Sequence, residues 1–236
     1  FAMELSEPKS GSPQGSNTAR EYHCSSVRNP TYHPRVLKNF SCAIHSEFEH
    51  VAFMLSSERP ANFLLHSLSE ADFSLIRPHL KPIELARGTV IYDAGEPIRR
   101  VLFPDSGIIS SVVELSGGQA IEISMIGRDT VAGGMFAMDG KVSLNKGIVQ
   151  LAGTGWMVDV DKLRAIADQS ATFTRALVIH EQIVFAQAQQ AAACNAIHSL
   201  EARMARWLLY VRELIDGDTL ELTQEFMSQI LGVQRS

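Results

Sequence analysis

Thr223, Gln224, Gln234, Arg235 and Ser236 are the residues of this chain best equipped to meet a polyanion, and all fall within the stretch Leu222-Thr-Gln-Glu-Phe-Met-Ser-Gln-Ile-Leu-Gly-Val-Gln-Arg-Ser236. Hydroxyl, amide and backbone N–H donors at a helix start can hold phosphate. A guanidinium fork can pair with guanine O6 and N7 in a major groove. Thr223 is placed to N-cap a helix, Phe226, Met227 and Ile230 recur at helical spacing, and Gly232-Val233 supplies a tight turn that lets two helices cross. Gln234, Arg235 and Ser236 then open a second helix, so the stretch reads as the first helix and turn of a helix-turn-helix whose recognition helix has just begun. Taken alone, an amphipathic surface helix ending at a glycine cap fits the same residues.

Other chemistry is sparse. Cys24, Cys42 and Cys194 are far apart and form no CxxC or cysteine–histidine spacing suited to zinc or an iron–sulfur cluster. His180 and His198 fall on a helical face and read as partly buried, hydrogen-bonded side chains. Residues 82–160 contain no histidine, which weighs against a metal-dependent enzyme of cupin-like β architecture, since that needs a His/Glu set within the strands. No catalytic residue, metal or cofactor is expected, and the chain does not read as an enzyme.

The 236 residues are 45% hydrophobic and 20% charged, ordinary globular material for one large domain or two small ones. No apolar run approaches the roughly 20 residues that span a bilayer, and no signal-like start is present, so no membrane partner and a cytoplasmic location are expected. The net charge of -5 decides little, because a winged helix-turn-helix carries much of its basic surface in the recognition helix and wing. Residues 1–53 are rich in Ser, Pro, Asn and His without sustained periodicity and read as a disordered or non-native extension, with Met54 as the expected initiator. A start at Phe1 and an end inside an expected helix read as a fragment.

The elements that must position these residues follow in order. Between Pro60 and His79 two short helices are expected, the second capped by Ser69, packing Phe73 and Ile76 inward and stopped by Pro78. From Pro82 to Val160 short Val/Ile-rich runs alternate with glycines. The runs Thr89–Tyr92, Val101–Phe103, Ile108–Leu115, Ala120–Ile126, Ile148–Ala152 and Trp156–Val160 predict an antiparallel sandwich or barrel. Ser116-Gly117-Gly118 marks a hairpin, since glycine tolerates positive φ. Strand alternation places Ile121, Ile123 and Met125, with the Ala132–Phe136 turn, around an interior pocket. Asp161 is expected to cap a helix to about Asp168. A long helix then carries Phe173, Leu177, His180, Val184, Gln187, Ala191 and Cys194 on one stripe and Ala176, Ile179, Ile183, Ala186 and Ala193 on a second. Two stripes call for two partners, the β domain and a twin helix, and the first is assigned to the twin. Burial of the helix inside one subunit is the alternative. Propensity dips at 195–199, Ser199 caps a further helix with Met204, Leu208, Val211 and Ile215 on its core face, and Asp216-Gly217-Asp218 closes it.

In this order the parts resemble the Crp/Fnr family of bacterial transcription regulators, in which a cyclic-nucleotide-binding domain precedes a helix-turn-helix. The resemblance runs from Pro60 to Ser236. It is carried by Gly88-Thr-Val-Ile-Tyr-Asp-Ala-Gly-Glu-Pro97, Val101-Leu-Phe-Pro-Asp-Ser-Gly107, Arg203-Met-Ala-Arg-Trp-Leu208 and the final Leu222–Ser236. It implies an α+β fold: a jelly-roll-like antiparallel β-roll at 60–168, a dimerisation helix and hinge at 169–198 and a truncated helix-turn-helix at 199–236. It also implies a homodimer, DNA as partner of the full-length protein, RNA polymerase as a further partner such a regulator would meet, and an unknown small-molecule effector. By position Arg235 matches the family arginine at the start of the recognition helix. A phosphate contact there is the alternative. A stand-alone sensory module without DNA binding is the second functional reading.

Members that bind cyclic AMP hold its buried phosphate with an arginine, a neighbouring hydroxyl and backbone N–H groups, while a glutamate after a glycine takes the ribose. Here the matching stretches read Asp129-Thr-Val-Ala-Gly-Gly-Met-Phe136 and Asn145-Lys-Gly-Ile-Val149. Ala132, Gly133, Gly134, Asn145 and Lys146 therefore form a degenerate cassette. A phosphate buried without its partners is too costly to hold, so cyclic nucleotide binding is not expected. Lys146 can attract an anion as a point charge or sit solvated on a hairpin.

Overall fold

In a computed structural model of the protein the described residues are 20–23, 59–117, 120–134, 142–215 and 219–222. Two short helices open the continuous part. In α1 (Phe63–Ser67) Asn62 is the N-cap, and α2 (Glu70–Ile76) is capped by Ser69, whose Oγ accepts from Asp72 N at 3.1 Å. Phe73 and Ile76 are buried, as their spacing predicts. Pro78 sits within a following 3-10 turn at Arg77–His79. Asp72 accepts hydrogen bonds from Ser170 and Thr172 as well as from Ser69, which ties α2 to the start of the long helix.

Seven strands build the roll: β2 (Lys81–Leu85), β3 (Val90–Tyr92), β4 (Arg100–Pro104), β5 (Ile108–Glu114), β6 (Ala120–Ile126), β7 (Lys146–Leu151) and β8 (Gly153–Asp159). They pair antiparallel in two sheets, β2-β8-β4 and β3-β7-β5-β6. Between them lie Val101, Phe103, Ile109, Ile126, Val149 and Val158, closed at one end by Leu64, Leu65, Leu163, Phe173 and Leu177 from the helices. Strand β2 is absent from the sequence expectation. Its Lys81-Pro82-Ile83-Glu84-Leu85 is polar and holds a proline, which suits an edge strand paired on one side only, here with β8.

A bulge in β6 changes which side chains line the roll. Ser111 pairs with Ser124 and the next residue, Val112, pairs with Glu122, so Ile123 is the extra residue. An inserted residue reverses the side-chain alternation beyond it. Glu122 is thereby brought to the same face as Ser110 and Met125. The expected interior wall of Ile121, Ile123 and Met125 is not what forms. Met125 packs outward in a second cluster with Ile108, Trp207, Val211 and Leu214, and Ile121 and Ile123 are only half-buried.

Helix α3 (Val160–Gln169) has Asp161 in its first turn rather than at its cap, and Asp159 occupies the cap position without a side-chain bond. Helix α4 (Ala171–Ile197) is capped by Ser170, and α5 (Leu200–Leu214) begins at Ser199 with Glu201 in its first turn. The buried face of α5 is Trp207, Val211 and Leu214, while Met204, Leu208 and Ile215 are half-buried, so the helix is rotated from the expected face. Beyond it β9 (Thr219–Leu222) pairs antiparallel with β1 (Arg20–His23), from Arg20 opposite Leu222 to His23 opposite Thr219.

Candidate functional site

Helix α4 connects the roll to α5, and one of its faces packs on the chain itself. Phe173, Leu177, His180, Ala191 and Cys194 are buried within the single chain, and Val184 and Gln187 of the same stripe are half-buried. These seven residues, expected at a twin helix, lie on the face turned toward the chain's own core. The opposite face is open: Val178 is 49% exposed, Phe185 64% and Ile197 81%. Val178, Gln182, Phe185, Gln189, Ala192 and Ala196 are all exposed and follow one another at alternating spacings of four and three. Repeated heptads of this kind form the seam between paired helices. The second stripe of the sequence reading is not this face: Ile179 and Ala193 are exposed and Ala176, Ile183 and Ala186 half-buried, and the heptad through Phe185 is one the sequence periodicity did not mark.

The degenerate cassette folds as two segments, of which the Gly134 turn lies against α4. Ala132 is fully buried and exchanges backbone hydrogen bonds with Leu102 at 3.0 and 2.9 Å. Gly133 adopts φ +84°, a conformation that favours glycine. A Cβ added at Gly134 would lie 2.9 Å from Glu181 Oε1 of α4, so the glycine leaves space for a carboxylate. In the other segment a Cβ at Gly147 would meet the Tyr92 ring at 2.6 Å. Burial and the Glu181 charge push the Tyr92 phenol up to about 12, against a hydrogen bond with Ser111. Asn145 bonds within its own turn, where Ser143 Oγ donates to its carbonyl at 2.6 Å. Lys146 reaches Glu114 at 2.9 Å and Asp93 at 3.8 Å, and its ammonium is held in the charged form by these carboxylates. It therefore serves the roll's own acidic groups.

Helix α5 closes on the outer face of β5 and β6 through contacts that no sequence motif marks. Trp207 Nε1 donates to Glu122 Oε1 at 2.7 Å, and Ser110 Oγ donates to the other carboxylate oxygen. Burial pushes the Glu122 carboxyl up to about 7, with the Ser110 and Trp207 hydrogen bonds and the Arg206 charge acting in the opposite direction. One helical turn on, Tyr210 donates to Asp129 Oδ2 at 2.5 Å and accepts from Gln187 Nε2 of α4 at 2.5 Å. Gln187 Oε1 in turn accepts from Met125 N of β6 at 3.2 Å. Arg128 Nε donates to the Leu214 carbonyl at 2.9 Å. Burial also raises Asp129, and it lowers His180 to about 4, where a hydrogen bond to the Asp129 backbone partly opposes it. In the sequence these residues show only as Trp207 within Arg203–Leu208 and Asp129 at the head of the cassette stretch, with nothing to pair Trp207 with Glu122 or Tyr210 with Asp129.

Thr223, Gln224, Gln234, Arg235 and Ser236 lie outside the described residues. Among the described residues no group of three or more His, Cys, Asp or Glu is placed to hold a metal, and no helix is long and apolar enough to cross a membrane.

No family profile matches the chain, and no curated protein matches it in sequence. Solved structures do match. A transcriptional regulator of the Crp/Fnr family from Eubacterium rectale superposes with a TM-score of 0.60 at 18% identity, over 72% of this chain and 80% of that one. The c-di-GMP-responsive global regulator CLP of Xanthomonas campestris gives 0.58 at 12%, over 70% and 86%. FixK2 of Bradyrhizobium japonicum gives 0.57 at 16%, over 65% and 78%. At these identities what is shared is the fold, and the described chain has the cyclic-nucleotide-binding-like architecture of the Crp/Fnr transcription regulators.

Proposed function

We propose that the chain belongs to an effector-responsive bacterial transcription regulator of the Crp/Fnr type, working as a homodimer in which the β-roll is the sensor and α4 the coupling helix. The observation that carries this reading is the exposed heptad seam of α4, Val178 to Ala196, on a helix whose other face is already buried. An apolar seam beside a sensor fold suits a second copy of the same helix across a two-fold axis. The dimer face is therefore reassigned from the Leu177–Val184 stripe to Val178 and Phe185. Thr223 and Gln224 would hold phosphate, and Gln234, Arg235 and Ser236 would begin the base-reading helix.

The sensor would take an effector other than a cyclic nucleotide. Glu181 beside Gly134 puts a carboxylate on the turn where related domains receive phosphate, and Lys146 is paired to Glu114 and Asp93. Like charges so placed disfavour a phosphodiester.

Sedimentation equilibrium tests the dimer. The chain is expected at twice its monomer mass, and Phe185→Glu, which sets two carboxylates near the axis, is expected to be monomeric with unchanged circular dichroism. A monomeric parent, or a Phe185→Glu variant as dimeric as the parent, would contradict the assignment.

A further inference from the structure

Helix α5 is joined to the outer face of the roll by a small apolar cluster and by two carboxylates, and both carboxylates are met by neutral donors. Ile108, Met125, Trp207, Val211, Leu214 and Leu220 form the cluster. Glu122 receives Trp207 and Ser110, and Asp129 receives Tyr210. The core of the roll, with Phe103, Ile109 and Val149, belongs to a separate cluster that contains no residue of α5. A helix held by a few side chains outside the main core is a candidate for local opening.

We infer that α5 is a releasable latch on the sensor sheet, closed by the paired contacts Glu122–Trp207 and Asp129–Tyr210. Gln187 links the latch to α4, since it bonds both Met125 of β6 and Tyr210 of α5. A shift of α4 along the roll must break one of these bonds. The latch does not depend on DNA binding and stands if the chain proves to be a sensor alone.

The sign of the pH dependence follows from the two states. With α5 docked the Glu122 carboxyl is desolvated and sits at about 7, and with α5 released it meets water and returns toward the ordinary value of 4.5. The closed latch thus binds a proton that the open one gives up. Closure is fully supported below the lower value and weakens as pH rises toward 7. Asp129 is raised by burial and acts in the same direction. The other charged and titratable groups around the contact are Arg206, Tyr210 and Glu213 of α5, Arg128 of the turn after β6 and His180 of α4. Arg206 favours the ionised Glu122, and Glu213 disfavours the ionised Asp129. His180 is lowered by burial, so any exposure of its ring on opening works in the opposite direction below its ordinary value of 6.5.

Trp207 reports the latch directly. With Trp156→Phe it becomes the sole tryptophan of the chain. Urea titrations followed by Trp207 emission and by far-ultraviolet circular dichroism, at pH 5 and pH 8, should show Trp207 released before the sheet melts. Its opening constant should be higher at pH 8 by roughly seventyfold, the ratio expected for a single carboxyl moving from about 7 to 4.5. Glu122→Gln keeps an acceptor for the indole and removes the titration, so most of that pH difference should vanish. Coincident Trp207 and sheet transitions at both pH values would overturn the latch. An undiminished pH difference in Glu122→Gln would overturn the role of Glu122.

Discussion

Trp207 of α5 donates its indole N–H to Glu122 of β6 across 2.7 Å, a bond between the last long helix and a strand 85 residues earlier in the chain. It exists because the extra residue Ile123 turns Glu122 to the face that carries Ser110 and Met125. A strand without the bulge would point Glu122 toward the other side of the sheet.

Asn62 should prove the costliest polar residue of the N-terminal helices to remove. It is fully buried, accepts from Leu65 N, and donates to the carbonyls of Pro104 at 3.0 Å and Thr130 at 2.9 Å. Asn62→Ala strips a cap and leaves two buried carbonyls without their donor, for an expected loss of about 2–4 kcal/mol in urea unfolding. A loss below about 0.5 kcal/mol, the range of ordinary surface substitutions, would show that water replaces the amide freely.

His180 should set part of the acid stability. Its folded value of about 4 lies below the ordinary 6.5, so the unfolded chain takes up the proton first. The stability from the neutral ring is full above 6.5 and is lost as pH falls toward 4, by up to about 3 kcal/mol at one pKa unit per 1.4 kcal/mol. His180→Gln should flatten the unfolding free energy between those values. A slope equal to that of the parent would place the acid lability elsewhere.

Gly107→Ala tests the turn between β4 and β5. The glycine has φ +78° and a Cβ there would lie 2.6 Å from the Leu151 carbonyl oxygen, so strain and a backbone collision coincide. We expect a loss of at least about 2 kcal/mol, whereas alanine at Gly88, equally positive in φ but with nothing within 4 Å, should cost less. Equal losses at the two sites would mean that conformation alone decides.

Much of this fold is legible in the sequence because its signals are local. Ser69 and Ser199 cap the helices they precede, Phe73 and Ile76 turn inward, and Gly88, Gly107 and Gly127 stand just outside strand ends, although Gly147 and Gly155 lie inside strands. What escapes is set by distant partners. Lys81–Leu85 is a strand because β8 offers an edge, not because of its own polar residues. The Ile123 bulge breaks the alternation that set Ile121, Ile123 and Met125 on one face. On α4 the stripe through Leu177 turns to the chain's own core instead of a twin helix, and the exposed face through Phe185 escapes the sequence reading because Gln182 and Gln189 interrupt its apolar pattern. The cassette residues were legible as departures, but Glu181, which fills the space at Gly134, comes from a helix 47 positions further on and leaves no local mark.

Calorimetric titration with cyclic AMP and cyclic GMP should give no binding heat. The Gly134 turn faces Glu181, and the single cassette cation, Lys146, is held by Glu114. Low-micromolar affinity for either nucleotide would contradict this reading of the pocket.

A dimeric DNA-reading regulator makes one demand above the others, that the native full-length protein select particular duplexes from a random pool and that Arg235→Ala impair the selection. The prediction is enrichment of two-fold related half-sites about one helical turn apart, with Arg235→Ala losing roughly 1–3 kcal/mol on the selected site and nearly nothing on scrambled DNA. No enriched sequence, or equal losses on selected and scrambled duplexes, would contradict it.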